Sequence, residues 1–284
     1  MREKDIPVIG IDLGATNIRG AVVSDDSLSD IISVRIHSEG SVEDVLADIY
    51  QVIDALMEPG IAAIGIGVPS VVDVIEGIVY DVQYIPSWKE VPLKQLLEAR
   101  YHKPVFVNND ANCFVLGEYY FGRDTDASSM VGLTIGTGLG GGIIINDKLF
   151  AGHNCGAGEF GLLPYKDNIL EFYCSGSFFK NVYDLDGLQV FEDAKKGDVR
   201  ALHLYTELGT HIGQAIKAVI YTYDPQLIVL GGSVSQAYKW FKDAMMNEVR
   251  TLAYTQSAQR IRIGVSELKN SGILGAAALF YNAQ

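Results

Sequence analysis

Cysteine is scarce in this chain. There are three, Cys113, Cys155 and Cys174, in 284 residues. They form no CxxC pair and no even set, which argues against a disulfide framework and suits a reducing compartment. No run of about 18 apolar residues is present to span a bilayer, and Met1 to Pro7 carries no apolar signal core. The expectation is therefore a cytoplasmic protein with no membrane partner. Basic residues are also in short supply, 22 Lys and Arg against 35 Asp and Glu, for a net charge of −13. So acidic a surface repels nucleic-acid phosphates, and no nucleic-acid partner is expected. What the chain does have is apolar matter for real cores, 48% of residues, which excludes wholesale disorder, and 30 glycines, above the ~7% of ordinary usage.

At ~150 residues per domain the length suggests two domains. Val8–Ile11 reads as a strand, Gly14-Ala-Thr-Asn17 as a turn, Gly20–Val23 and Ile31–Ile36 as further strands, and Val42–Met57 as a helix stopped by Pro59-Gly60. Ile61–Val68 follows as a buried strand, so the first seventy residues read β-β-β-α-β. Val91–Tyr101 and Ala111–Phe121 read as helices around the strand Val105–Val107. Val131–Ile135 opens a second glycine-turn hairpin that closes in Gly142–Asn146. Ala201–Thr222 reads as a long helix before the strand Leu227–Leu230, and Gly272–Tyr281 as a closing helix of small residues. A single offset of 122 pairs Gly10 with Gly132, Gly14 with Gly136 and Gly20 with Gly142, which points to an internal repeat. The expected fold is α/β, with two similar β-β-β-α-β domains facing a central cleft, where small ligands bind. The expected boundaries are 1–112, completed by the helix 272–284, and 113–271.

Hairpin turns poor in side chains can surround an anion with backbone N–H groups, so Gly136-Thr-Gly-Leu-Gly-Gly-Gly142 and Gly14-Ala-Thr-Asn17 read either as phosphate clamps or as plain tight hairpins. Gly136, Gly138 and Gly141 also match a dinucleotide fingerprint, but a strand follows where that motif needs a helix. No P-loop lysine follows either. Asp12, at the end of the first strand, suits a water-mediated Mg²⁺ contact. Asp110, just before a helix, suits either a general base or an N-cap.

These pieces together resemble the ROK family of sugar kinases, within the actin/hexokinase/heat-shock-70 ATPase fold (ribonuclease H-like). The resemblance rests on Gly10-Ile-Asp-Leu-Gly-Ala-Thr16, Gly65-Ile-Gly-Val-Pro69 with Val72-Asp73, and Pro104-Val-Phe-Val-Asn-Asn-Asp-Ala-Asn112. It continues through Gly136-Thr-Gly138, Ala157-Gly-Glu-Phe-Gly161 and Asp224-Pro-Gln-Leu-Ile-Val-Leu-Gly-Gly232. It implies MgATP-dependent phosphoryl transfer to a hexose hydroxyl, usually O6, on a glucose-like substrate. Asp110 would be the base, and Asn109, Asp110, Glu159 and Glu171 would bind sugar hydroxyls. Asp12, Gly14, Thr16, Asn17, Gly136, Thr137 and Gly138 would cradle phosphates and Mg²⁺, with Gly231 and Gly232 near the adenosine. A homodimer would be in keeping with the family.

Two departures stand out. Leu162 replaces the family's histidine, and the cysteine-rich zinc loop is missing, so no zinc is expected: His153, Cys155 and Cys174 are badly spaced for a four-ligand site. Gln83-Tyr84 stands where the family often has Pro-Asn, which leaves Tyr84 to stack on a sugar or simply to pack. The alternatives are a sugar-binding pseudokinase, an N-acetylmannosamine kinase and, disfavoured by the seven residues before the first strand and by the charge, a regulator.

Overall fold

The structure is a computed structural model that describes residues 5–25, 27–123 and 126–284; the first four residues of the Met1–Pro7 segment discussed above lie outside them. Contacts divide the chain into two units, residues 1–126, 142–157 and 267–284 in the first and residues 127–141 and 158–266 in the second. The helix Asp110–Phe121 and the segment 142–157 thus belong with the first unit, whereas the sequence-based boundary fell at residue 112. The physical reason is close packing. Where Gly117 or Gly275 would carry a Cβ, it would lie 2.5 Å from the Ser271 carbonyl oxygen or 1.6 Å from that of Cys113, so the helices Asp110–Phe121 and Ser271–Ala283 touch backbone to backbone. Gly142 is similarly pressed against the Ala111 carbonyl.

The first unit carries a six-stranded sheet. Val8–Leu13 pairs antiparallel with Asn17–Ser24 and parallel with Ala63–Val68, which in turn pairs parallel with Val105–Asn109. The third strand expected from sequence is present as Ile32–Arg35, and an unassigned short strand, Ser27–Leu28, precedes it; both pair with Asn17–Ser24. The helix Val42–Leu56 begins in a reciprocal capping box between Ser41 and Asp44. Its apolar spacing puts Val45, Ile49, Val52 and Ile53 in the core with Ile9, Ile11, Ile64 and Ile66; each such side chain contributes about 1.5–3 kcal/mol when fully buried.

The second sheet runs Lys148–Leu149, Leu139–Ile145, Met130–Ile135, Leu227–Gly231 and Arg262–Val265. Val8–Leu13 and Met130–Ile135 have identical bounds at the offset of 122, and Asn17 and Leu139 begin the two return strands at the same offset. In each sheet the first hairpin strand then pairs parallel with a later strand, here Met130–Ile135 with Leu227–Gly231. The long helix Val199–Tyr223 packs on Tyr238–Val249, with Gly209 held against the Phe241 carbonyl. Among the described residues no helix is long and apolar enough to cross a membrane.

Candidate functional site

In the first unit three parallel strands end side by side. The register sets Asp12 beside Gly67 and Gly67 beside Asn108. Asp12 and the Asn108-Asn109-Asp110 run therefore stand two strand spacings, about 9–10 Å, apart, at the carboxyl end of the sheet, where open α/β sheets take ligands. Buried Cys113 lies beneath them. Its thiol is pushed well above the ordinary range by burial first, then by the charges of Asp110, Asp12 and Cys155.

The N-cap role falls to Asn109, whose side chain accepts the Ala111 N–H at 2.9 Å. Asp110 is the first helical residue and is exposed, with Oδ1 also 2.9 Å from the Ala111 nitrogen. A carboxylate at that position is favoured by the positive end of the helix dipole. Asp12 accepts from the Arg19 guanidinium at 2.9 Å, and a Cβ on Gly272, at the start of the closing helix, would come within 3.0 Å of its carboxyl carbon. The sequence reading missed Arg19. Period-2 alternation from Asn17, together with the hairpin register that sets Arg19 opposite Asp12, was the signal that could have found it. Thr16 and Asn17 are exposed, as is Tyr84, at 46%, whereas neighbouring Trp88 is fully buried. Tyr84 is thus not a core residue.

In the second unit the turn after Met130–Ile135 is tied down from within. Gly136 N–H donates to the Gly138 carbonyl at 3.0 Å, Gly176 N–H donates to the Gly136 carbonyl at 2.7 Å, and the Ser177 hydroxyl donates to the Thr137 carbonyl at 2.7 Å. Leu139 N–H donates to Glu171 Oε2 at 2.8 Å. In the first unit Gly14 N–H is likewise engaged, with the Asn17 carbonyl at 3.0 Å. Both turns thus close on themselves through the Gly14 and Gly136 amides, and at Leu139 a carboxylate already holds the N–H. Glu171 is so near the turn that a Cβ on Gly138 would lie 2.5 Å from Oε2.

Glu159 keeps contact with solvent, yet enough protein surrounds its carboxyl that desolvation, followed by repulsion from Glu171, raises its pKa. Gly232 has φ +82°, and a Cβ there would meet the Ile135 carbonyl at 2.4 Å, so that position requires glycine. The residues just after it, Ser233, Val234 and Gln236, line a cavity of about 460 Å³ together with Gly136, Thr137, Phe179, Lys180, Leu188, Phe191 and Tyr205. Its size and mostly apolar walls with a few polar groups suit a small organic ligand. Gly231 and Gly232 are not themselves in the lining. The helices Phe178–Tyr183 and Gly187–Lys195 that supply much of it were not assigned from sequence.

Among the described residues no group of three His, Cys, Asp or Glu side chains is placed to hold a metal. Asp12, a single carboxylate, would fit Mg²⁺ as a contact made through water, the ion's remaining oxygens coming from elsewhere.

The ROK family model matches residues 8–283. A glucokinase of Thermotoga maritima is 29% identical over 308 residues, covering 96% of each chain. A xylose repressor of Bacillus subtilis is 26% identical over 294 residues, covering 95% of this chain and 76% of that protein. The crystal structure of a ROK family glucokinase from Streptomyces griseus in complex with glucose and AMPPNP superposes with a TM-score of 0.80 at 27% identity, covering 96% of this chain and 98% of that one. The chain belongs to the ROK family and has its actin-like ATPase fold.

Proposed function

We propose that this protein is an ATP-dependent sugar kinase that transfers the γ-phosphoryl group to a hexose hydroxyl, O6 of a glucose-like substrate, with Asp110 as general base. The observation that carries the reading is the register placing Asp12 and the Asn108-Asn109-Asp110 run at the same end of one sheet. It sets one carboxylate at the phosphate-turn hairpin and one exposed carboxylate at a helix start. Asp110 accepts the proton of the attacking hydroxyl, and Asn109, Glu159 and Glu171 accept or donate hydrogen bonds to the remaining hydroxyls. The cavity beside Gly136 and Thr137 takes the adenosine, with the Gly136-Thr137-Gly138 turn at its phosphate end. Arg19 adds a cation to the charge balance around Asp12. Asp12 would hold Mg²⁺ through water, and the ion would neutralise charge on the transferring phosphates.

A coupled assay of ADP release against a panel of hexoses and N-acetylhexosamines tests this: release that depends on one sugar supports it. Sugar binding without turnover supports a non-catalytic sugar sensor instead, a reading favoured by the xylose repressors among the relatives.

Two smaller outcomes follow from the second unit. Gly138→Ala collides only with the far end of the flexible Glu171 side chain, so the fold should hold while the carboxylate is displaced and the sugar KM rises several-fold. Gly264→Ala, outside the proposed site, meets nothing within 4 Å and should leave the sugar KM unchanged. An equal effect of the two would remove Glu171 from the sugar site. The raised pKa of Glu159 sets the sign of a pH dependence. Protonation removes an acceptor, so the sugar KM should climb as pH falls through a value above the ordinary 4.5. Glu171→Gln, by removing the repelling charge, should move that midpoint down; a pH–KM profile that does not move would overturn the assignment.

A further inference from the structure

Below the exposed Asp110 lies a cluster of polar side chains that the proposed reaction does not use. Asn108, Asn112 and Cys155 are 6%, 1% and 3% exposed. One atom, Asn108 Oδ1, is the hub. It accepts from the Asn109 N–H at 2.8 Å, from the Asn112 side-chain amide at 2.9 Å and from the Cys155 thiol at 3.2 Å. The Asn112 amide also points at the Cys155 sulfur, 3.6 Å away. Cys155 is presented from a loop that closes on itself through the Ala157 N–H to the Ala151 carbonyl, and its backbone is left-handed, φ +57°. A non-glycine residue held there needs compensation from its surroundings.

The consequence is geometric. The Asn109 N–H precedes the cap residue of the helix by no residue at all: it is the cap residue's own amide. Whatever fixes Asn108 Oδ1 therefore fixes the peptide from which the Asn109 and Asp110 side chains project. Two side-chain donors, one of them a thiol from a loop 43 residues beyond Asn112, keep that oxygen from turning away. Burial makes each bond costly to leave unmade, so the hub has one arrangement rather than several.

We infer that Cys155 is a positioning residue, its S–H holding Asn108 so that Asn109 and Asp110 face the sugar in a single orientation. The inference rests on the kinase reading. Misplacing a reacting group by about 1 Å can cost on the order of 100-fold in rate, and losing one of three bonds to the hub should cost less than that.

The test compares Cys155→Ala, which lacks the donor, with Cys155→Ser, which keeps an O–H, in the full-length chain. Cys155→Ala should lower kcat roughly tenfold and raise the sugar KM, with the KM for ATP unchanged, while Cys155→Ser recovers most of the loss. Wild-type kinetics in Cys155→Ala, or equal impairment of the two variants, overturns the proposal. If Cys155→Ala melts below the assay temperature, Asn112→Leu removes a donor to the same oxygen and should give the same split between the two KM values; an unchanged sugar KM there overturns it. A wild-type chain that binds a sugar without turning it over defeats the kinase reading alone. The sugar-induced thermal shift then decides, and Cys155→Ala must lose a shift that Cys155→Ser keeps. Absence of both turnover and sugar binding overturns both.

Discussion

Asp110→Asn should lower kcat by roughly 10²- to 10⁴-fold, the usual contribution of a positioned general base, while melting temperature and sugar affinity stay close to wild type. The substitution is isosteric. An asparagine oxygen can still meet the Ala111 nitrogen, which lies 2.9 Å from Asp110 Oδ1, and Asn109 still caps the helix. The attraction of a carboxylate to the helix N-terminus, typically 0.3–1 kcal/mol at an exposed position, is lost. What disappears is the ability to take a proton from an alcohol as it attacks. The measurement is single-turnover and steady-state ADP formation beside calorimetric sugar titration. Turnover within a few-fold of wild type would remove Asp110 from the base role. Glu159→Gln supplies the contrast, since a hydroxyl-binding group should raise the sugar KM at least as much as it lowers kcat.

The two possible roles of Asp110 show how far the sequence could be read. An aspartate before a helix reads equally as a cap or as a base. The structure gives the cap to the neighbouring Asn109, which has the cap dihedrals and the cap bond, and two adjacent residues that can both cap a helix cannot be ranked without the backbone. The repeat was legible because glycines recur at the offset of 122 through two strand–turn–strand hairpins whose first strands have the same length.

The partners of the turns were not legible. Glu171 binds Leu139 across 32 residues, and Cys155 binds Asn108 across 47; neither contact leaves a local pattern. The cavity was hidden for a similar reason. Its apolar lining comes from Phe179, Leu188, Phe191 and Tyr205 on three separate helices, each of which alone reads as ordinary core.

The second large effect is on stability, and it sets two principles against each other. Gly275 lies within the helix Ser271–Ala283, where alanine is intrinsically better by about 0.8–1.0 kcal/mol. Propensity alone would make Gly275→Ala stabilising. The packing says otherwise: the new Cβ would lie 1.6 Å from the Cys113 carbonyl oxygen, 2.4 Å from its carbon and 2.9 Å from the Gly117 nitrogen. All three are backbone atoms, so no rotamer change relieves the overlap, and the helix Asp110–Phe121 must move bodily. Overpacking commonly costs 1–3 kcal/mol and sometimes more, and a backbone collision belongs at or beyond the upper end, so the clash outweighs the propensity gain. Urea unfolding should show a clearly lower midpoint, with kcat reduced as well because Asp110 heads the displaced helix. Gly264→Ala, whose Cβ would meet nothing within 4 Å, is the control and should leave both unchanged. A midpoint for Gly275→Ala at or above wild type would mean that the two helices are not in backbone contact, and the division that places Asp110–Phe121 with the first unit would lose its physical basis.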